Sequence, residues 1–202
     1  MPSRDQPTTM LFNKWDVRKI EVNDQGLQNV ISLNPGVTIP MTFGRHEHQR
    51  MKKAEVHIVE RLVNKLMHFG KRYAKNTGRM GGKKARIYKT MEAALDILNV
   101  ETGKNPVELL IRAVENASPN EDTTRIVYGG VVYHVSVDVA PLRRADLALR
   151  FIAEGVREST YSSLQSIEEV LAREILLASA NDMSSYAIKK KNEQERIAMS
   201  SR

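Results

Sequence analysis

Arg125-Ile126-Val127-Tyr128-Gly129-Gly130-Val131-Val132-Tyr133-His134-Val135-Ser136-Val137-Asp138-Val139 is the stretch whose period departs from the rest of the chain. β-branched and aromatic residues dominate it and alternate with polar ones, which is the pattern of a strand. Gly129-Gly130 divides it and supplies the positive φ that a two-residue hairpin turn requires. In the second half Val131, Tyr133, Val135, Val137 and Val139 share one face, which seeks apolar cover. A lone two-stranded ribbon is marginal in water. Its foot must lean on other elements while its tip projects, as either a binding arm or a structural flap.

Around the ribbon the period is helical. Upstream, Val56, Val59, Leu62, Val63, Leu66 and Met67 predict a helix over 54–69, with Glu60, Arg61, Asn64 and Lys65 facing away from the apolar stripe. Ile87, Met91, Leu95 and Leu98 predict a second helix that ends at Thr102-Gly103, with Gly as its C-terminal stop. Asn105-Pro106-Val107-Glu108 opens a third with an N-cap, a proline at the first position and a capping-box glutamate. Leu109, Leu110, Ala113, Val114 and Ala117 form its apolar face. Downstream, Pro141 starts a fourth helix, with Leu142, Ala145, Leu149, Ile152 and Val156 inward. Its row Arg143, Arg150 and Arg157 has Asp146 and Glu154 at pairing distance. Ser166-Ile167-Glu168-Glu169 is a capping box for a fifth. The segment 184–202 is a polar helix, either a solvated tail or one ordered by a partner.

Residues 1–44 carry the breakers Asn34-Pro35-Gly36 and Ile39-Pro40 and read as an extended arm. Leu11-Phe12-Asn13-Lys14-Trp15 can pin it, with the single tryptophan as a packing anchor. The expected fold is therefore mainly α: a six-helix bundle with one projecting two-stranded β-ribbon, at about residues 123–139, and an extended N-terminal arm.

Charge is concentrated between the first two helices. Residues 71–89 hold eight Lys or Arg (Lys71, Arg72, Lys75, Arg79, Lys83, Lys84, Arg86 and Lys89) and no acidic residue. From Arg45 to Lys89 there are 14 basic and three acidic residues, a net of +11 against +7 for the whole chain. A field so localised seeks a polyanion. Gly78, Gly81 and Gly82 let the backbone approach it, and Tyr73 and Tyr88 offer stacking faces. The competing reading is a solvated loop, but such surfaces usually mix signs.

Catalytic chemistry does not assemble. Gly81-Gly82-Lys83-Lys84 lacks the Gly at position 77 and the Ser or Thr at position 84 that a phosphate-binding loop needs. His46 and His48 find no third ligand, so no metal is expected. His57 and His68 read as packing or surface residues. The chain has no cysteine, hence neither disulfides nor a thiolate site. The N-terminus lacks a signal's apolar core, no apolar run approaches a membrane span, and no repeat recurs. A soluble, cytoplasmic protein without cofactor, membrane or small-molecule substrate is expected.

Several motifs in one order resemble the small-subunit ribosomal protein seven family. They are Gly44-Arg45-His46, Ile58-Val59-Glu60-Arg61-Leu62-Val63-Asn64-Lys65-Leu66-Met67, Gly82-Lys83-Lys84, Asn105-Pro106 and Asp122-Thr123-Thr124-Arg125-Ile126. Gly129-Gly130, Val137-Asp138-Val139-Ala140-Pro141-Leu142-Arg143-Arg144 and Ser185-Tyr186-Ala187-Ile188-Lys189-Lys190-Lys191 continue the series. The arm at 11–16 and the tail are similar to the archaeal and eukaryotic cytosolic branch, with the archaeal form closer. The resemblance implies an RNA-binding domain over 45–202 and a structural role in the small ribosomal subunit. It implies binding to the 3′ major domain of small-subunit ribosomal RNA, nucleation of head assembly, and neighbouring ribosomal proteins as partners. It places Arg45, Arg50, Lys52, Lys53, Lys83, Lys84, Arg86, Arg125, Arg143 and Arg144 against RNA. It sets the ribbon tip, Val127, Tyr128, Gly129, Gly130 and Val131, by the exit-site tRNA and outgoing mRNA. Glu47, His48 and Gln49 depart from the more basic residues of relatives, Ala140 from the usual Ser, and Ile126-Val127-Tyr128 from a more basic tip. The alternative is an architectural DNA-binding protein, since a β-ribbon on a basic helical body also fits a DNA groove.

Overall fold

The computed structural model describes residues 10–67 and 80–202. Its elements are α1 (Ile58–Leu66), α2 (Lys84–Thr102), α3 (Pro106–Ala117), β1 (Glu121–Tyr128), β2 (Val131–Asp138), α4 (Pro141–Thr160), α5 (Ile167–Ser179) and α6 (Tyr186–Ser200). The architecture is mainly α with one two-stranded ribbon, as the periodicities predict. Helix α5 packs against α2, α3 and α4, while α1 lies across α2 and α4.

Local signals set most boundaries. The Asn105 side chain accepts from Val107 N at 3.1 Å, and its amide donates to Asp16 O at 2.7 Å, so one residue caps α3 and ties down the arm. That cap bonds the second helical N–H instead of the third, where a capping box would act. The full box forms at α5, where Ser166 and Glu169 exchange bonds of 3.2 and 3.3 Å. Gly103, at φ 66°, closes α2 by donating to Asn99 O.

Helix α1 is shorter than the apolar period. Lys52–Glu55 forms a 3₁₀ turn, and His57 is held in a bridge to Ser32 of the arm before capping α1 through Nδ1. This long-range pairing makes the helix start at Ile58, later than the side-chain spacing indicates, and residues 68 and 69 of the expected helix lie outside the described residues. The arm itself contains no regular helix among residues 10–44, yet Leu11, Phe12, Trp15, Val17, Leu27, Val30 and Ile31 are buried in the common core. Phe12 meets the Trp15 ring edge to face at 5.9 Å.

The polar C-terminal helix is not a solvated tail, since it packs against α4 and β1. Ala187, Ile188 and Ala198 are buried. The buried Glu174 carboxylate accepts from Ser185 Oγ at 2.8 Å and Ala187 N at 3.0 Å, a favourable place for a negative group at a helix N-terminus. Gly155 lets α4 approach this junction, because a Cβ there would stand 2.8 Å from Tyr186 Cβ.

Glu60 and Arg61 depart most from the sequence expectation. They lie off the apolar stripe yet are 0% and 2% exposed. Glu60 receives Thr42 N at 2.9 Å and Lys84 Nζ at 2.6 Å. Arg61 donates to Val30 O at 2.9 Å and pairs with Asp146 at 3.2 Å, and Asp146 also takes Lys53 Nζ at 2.8 Å. Asp146 thus turns away from the arginine row on α4, of which Arg150 pairs with Glu154 at 2.9 Å. Burial opposes ionisation of Asp146, but the Lys53 hydrogen bond and the Arg61 charge outweigh it and hold its pKa below the usual carboxylate value. Asp24 is lowered likewise, its burial outweighed by Arg144 at 2.7 Å. His57 behaves oppositely: burial pushes its pKa down to about 4 despite the Glu60 charge.

Two predictions follow from these contacts. Asn105→Ala should lower the unfolding free energy by about 1 kcal/mol for the lost cap, read by urea denaturation. The tie to Asp16 adds to that loss, so an unchanged midpoint would contradict the assigned cap. Stability should also fall with acid in two stages. Between about pH 6.5 and 4 the unfolded chain protonates His57 while the folded one resists, so stability present above that window is lost through it. Below about pH 4 the depressed Asp24 and Asp146 add a second loss. His57→Asn keeps an N-cap acceptor and should flatten only the first stage of the urea midpoint against pH.

Candidate nucleic-acid interface

The ribbon is antiparallel, with Tyr128 opposite Val131 and Gly129 and Gly130 at φ 58° and 81°, as the glycine pair predicts. Its foot is clamped. Val139 N donates to Asn120 O, Asn120 N to Glu195 Oε1, and Ser136 N to Ser201 O. Arg202 pairs with Glu121, and Arg143 with Asp122 at 3.3 Å. The first turn of α4 and the last turns of α6 therefore hold the ribbon from both sides.

Beyond the foot the expected apolar cover is missing. Opposed residues share a face in an antiparallel pair. One face therefore carries Tyr128, Val131, Ile126, Tyr133, Val135 and Val137, all exposed, with Tyr128 at 79%. The other face carries Val127 with Val132 at the tip, then Arg125 opposite His134, also exposed. The helices cover only Val139, next to the foot.

The basic residues separate into two groups. Arg45, Arg50, Lys83, Arg86, Lys89 and Arg125 are exposed and make no ion pair among the described residues, and Lys52 is partly exposed. Lys53, Lys84 and Arg144 are drawn into the pairs with Asp146, Glu60 and Asp24. Arg143 is paired but remains exposed. Lys71, Arg72, Tyr73, Lys75, Gly78 and Arg79, with His68, lie outside the described residues. Lys83, Arg86 and Lys89 lie at and just after the start of α2, so a rigid helix sets their spacing.

A cleft of about 540 Å³ opens beside this surface, between α1, the start of α2 and the loop at 42–47. Glu60, Arg61 and Asp146 form part of its wall, with Lys65, Asn64 and Phe43. Sequence reasoning missed Lys65 and Phe43. Lys65 reads as an ordinary solvent-face lysine, and only the fold shows it half-buried near Asp146. Phe43 offers one local signal, its place before Gly44 in a loop between breakers. It stands at φ 51° and is 78% exposed.

No group of three or more His, Cys, Asp or Glu side chains could hold a metal among the described residues, so His46 and His48 form no such site there. Nor is any described helix long and apolar enough to cross a membrane.

The comparisons with known proteins agree with the motifs. The family model described as ribosomal protein S7p/S5e matches residues 36–202. A small ribosomal subunit protein uS7 from Cenarchaeum symbiosum is 60% identical over 193 residues, covering 96% of each chain. The uS7 of Methanosphaera stadtmanae is 47% identical over 190 residues, covering 94% of this chain and 97% of its own. That of Methanothermobacter thermautotrophicus is 46% identical over 192 residues, covering 95% and 98%. A family match over residues 36–202, with relatives this similar over nearly the whole chain, shows that the chain belongs to the ribosomal protein S7p/S5e family.

Proposed function

We propose that this chain binds the 3′ major domain of small-subunit ribosomal RNA, nucleates assembly of the subunit head, and sets its ribbon by the exit-site tRNA and outgoing mRNA. Family membership supports the coarser part: a structural, non-enzymatic protein of the small subunit of the cytoplasmic ribosome. The observation that carries RNA binding is the set of exposed cations Lys83, Arg86 and Lys89 at the start of α2, with Arg45 and Arg50 exposed as well. Such groups position a nucleic acid through its phosphates without reading sequence. The clamped foot supports the ribbon's role, because a tip held by α4 and α6 can reach a ligand distant from the body. Its uncovered apolar face suits base stacking or packing on a neighbouring ribosomal protein.

A salt series on the purified full chain tests the RNA assignment. Affinity for the 3′ major domain should exceed that for an equal length of duplex DNA. It should fall by ~10³-fold or more between about 50 and 200 mM salt, as expected for several phosphate contacts. Equal affinity for both would mean that the basic surface is only an electrostatic magnet, and a preference for the duplex would favour the DNA-binding alternative. Shortening the tip at Gly129-Gly130 should leave RNA affinity nearly intact while disturbing exit-site tRNA retention in reconstituted subunits. Parallel loss of both would show that the tip is part of the primary RNA contact.

A further inference from the structure

We propose that the cleft beside α1 receives a single nucleotide of the bound RNA, with its phosphate on Lys65 and its base against the Phe43 ring. This rests on the RNA-binding reading and adds a defined site to it. Four cations line the cleft, Lys53, Arg61, Lys65 and Lys84, with the carboxylates Glu60 and Asp146 in its wall and Glu47 on the loop at its edge. Glu60 is taken by Lys84 and Thr42, and Asp146 by Lys53 and Arg61. Lys65 is the surplus positive charge, with no ion pair among the described residues.

Its environment disfavours that charge. Burial lowers the Lys65 pKa, and the charges of Lys53, Arg150 and Arg61 act in the same direction against the single attraction of Asp146. A half-buried cation among cations is relieved by an anion that enters from solvent, and a phosphodiester brings one negative charge without needing a proton. The volume also fits, since pockets for small ligands begin at roughly 300 Å³.

Phe43 supplies the second, independent observation. A bulky residue at positive φ is a backbone outlier, and its ring makes no return in the core, being 78% exposed. The loop therefore leaves an exposed aromatic residue at the cleft instead of burying it. Unstacked RNA bases are held in this way, on a ring face with polar groups reading their edges. Asn64 lines the same cleft with a donor and an acceptor that no described residue engages.

The test uses the full chain and the 3′ major domain RNA, with thermal melting of each free variant. Lys65→Met should leave the melting temperature equal or raised, because it removes a poorly solvated charge. It should weaken RNA binding about tenfold and make the salt slope shallower by about one. Lys65→Gln serves as the second variant and should show the same slope change, whereas Lys65→Arg should restore binding. Phe43→Ala should lose about tenfold in affinity with its salt slope unchanged, the signature of lost stacking. If the wild type prefers the RNA and Lys65→Gln and Phe43→Ala bind as it does, the cleft assignment fails while RNA binding stands. If the wild type shows no RNA preference, the broader reading fails first. Weakened binding of adenosine monophosphate in the variants, with RNA binding intact, would instead make the cleft a free-nucleotide site and overturn the assignment.

Discussion

Glu60 and Arg61 are adjacent on α1, opposite in charge and buried, and adjacent helical residues point about 100° apart. Neither can satisfy the other across that angle, and neither can remain buried alone, because an unpaired charge in the interior is far more costly than a neutral group. Each must therefore draw partners from elsewhere in the chain. Glu60 brings in Thr42 of the arm and Lys84 at the start of α2. Arg61 brings in Val30 of the arm and Asp146 of α4. Three segments distant in sequence, the arm, α2 and α4, meet on a helix of nine residues. Removing one member of a buried pair costs about 3–5 kcal/mol, much of it from the partner left behind. The arm, α2 and α4 are thus held to α1 by a requirement for neutrality as well as by apolar burial.

This requirement divides the basic surface. Glu60, Asp146 and Asp24 each take a cation that would otherwise face solvent: Lys84 for Glu60, Lys53 for Asp146, Arg144 for Asp24. Those three side chains are less available to phosphate, and in return they fix the orientation of the elements that carry the free ones. Lys83 and Arg86 flank Lys84 at the start of α2, so a cation locked to α1 sets the position of its exposed neighbours. A high local positive charge is needed for both tasks, which accounts for the local excess being larger than the net charge of the whole chain.

What could be read beforehand follows from the range of the interaction. Asn105, Ser166, Gly103 and the Gly129-Gly130 turn act within a few residues, and each is legible in the sequence. The apolar periods of α1 to α4 are equally local. Glu60 and Arg61 were not legible as buried, because a helical wheel separates apolar from polar residues and cannot show that two faces of α1 are covered. Their partners lie 24 residues away at Lys84 and 85 at Asp146. The same holds for α6, whose buried face is only Ala187, Ile188 and Ala198, too small to give a clear stripe. Glu174, placed by the α5 fold, completes that contact. The cleft is the extreme case: Phe43 and Lys65 belong to different segments, and only the packing of α1 against the loop brings them to one cavity.

The ribbon shows why partial cover can serve a function better than complete cover. Contiguous apolar surface is uncommon on a protein that acts alone, and an exposed two-stranded ribbon has unpaired edges that invite association. Here the apolar face is left open only beyond the foot, while the foot is fixed by Asn120, Glu121, Asp122 and Ser136 to α4 and α6. Covering the tip with helices would give more stability and remove its reach. Leaving the foot loose would keep the reach but spread the tip over many directions, and ordering it on binding would then cost affinity. A clamped foot avoids that cost in advance. Because the chain's last residue, Arg202, is part of the clamp, the direction of the tip depends on the C-terminal helix being folded onto α4, and so on the buried Glu174 that anchors its start.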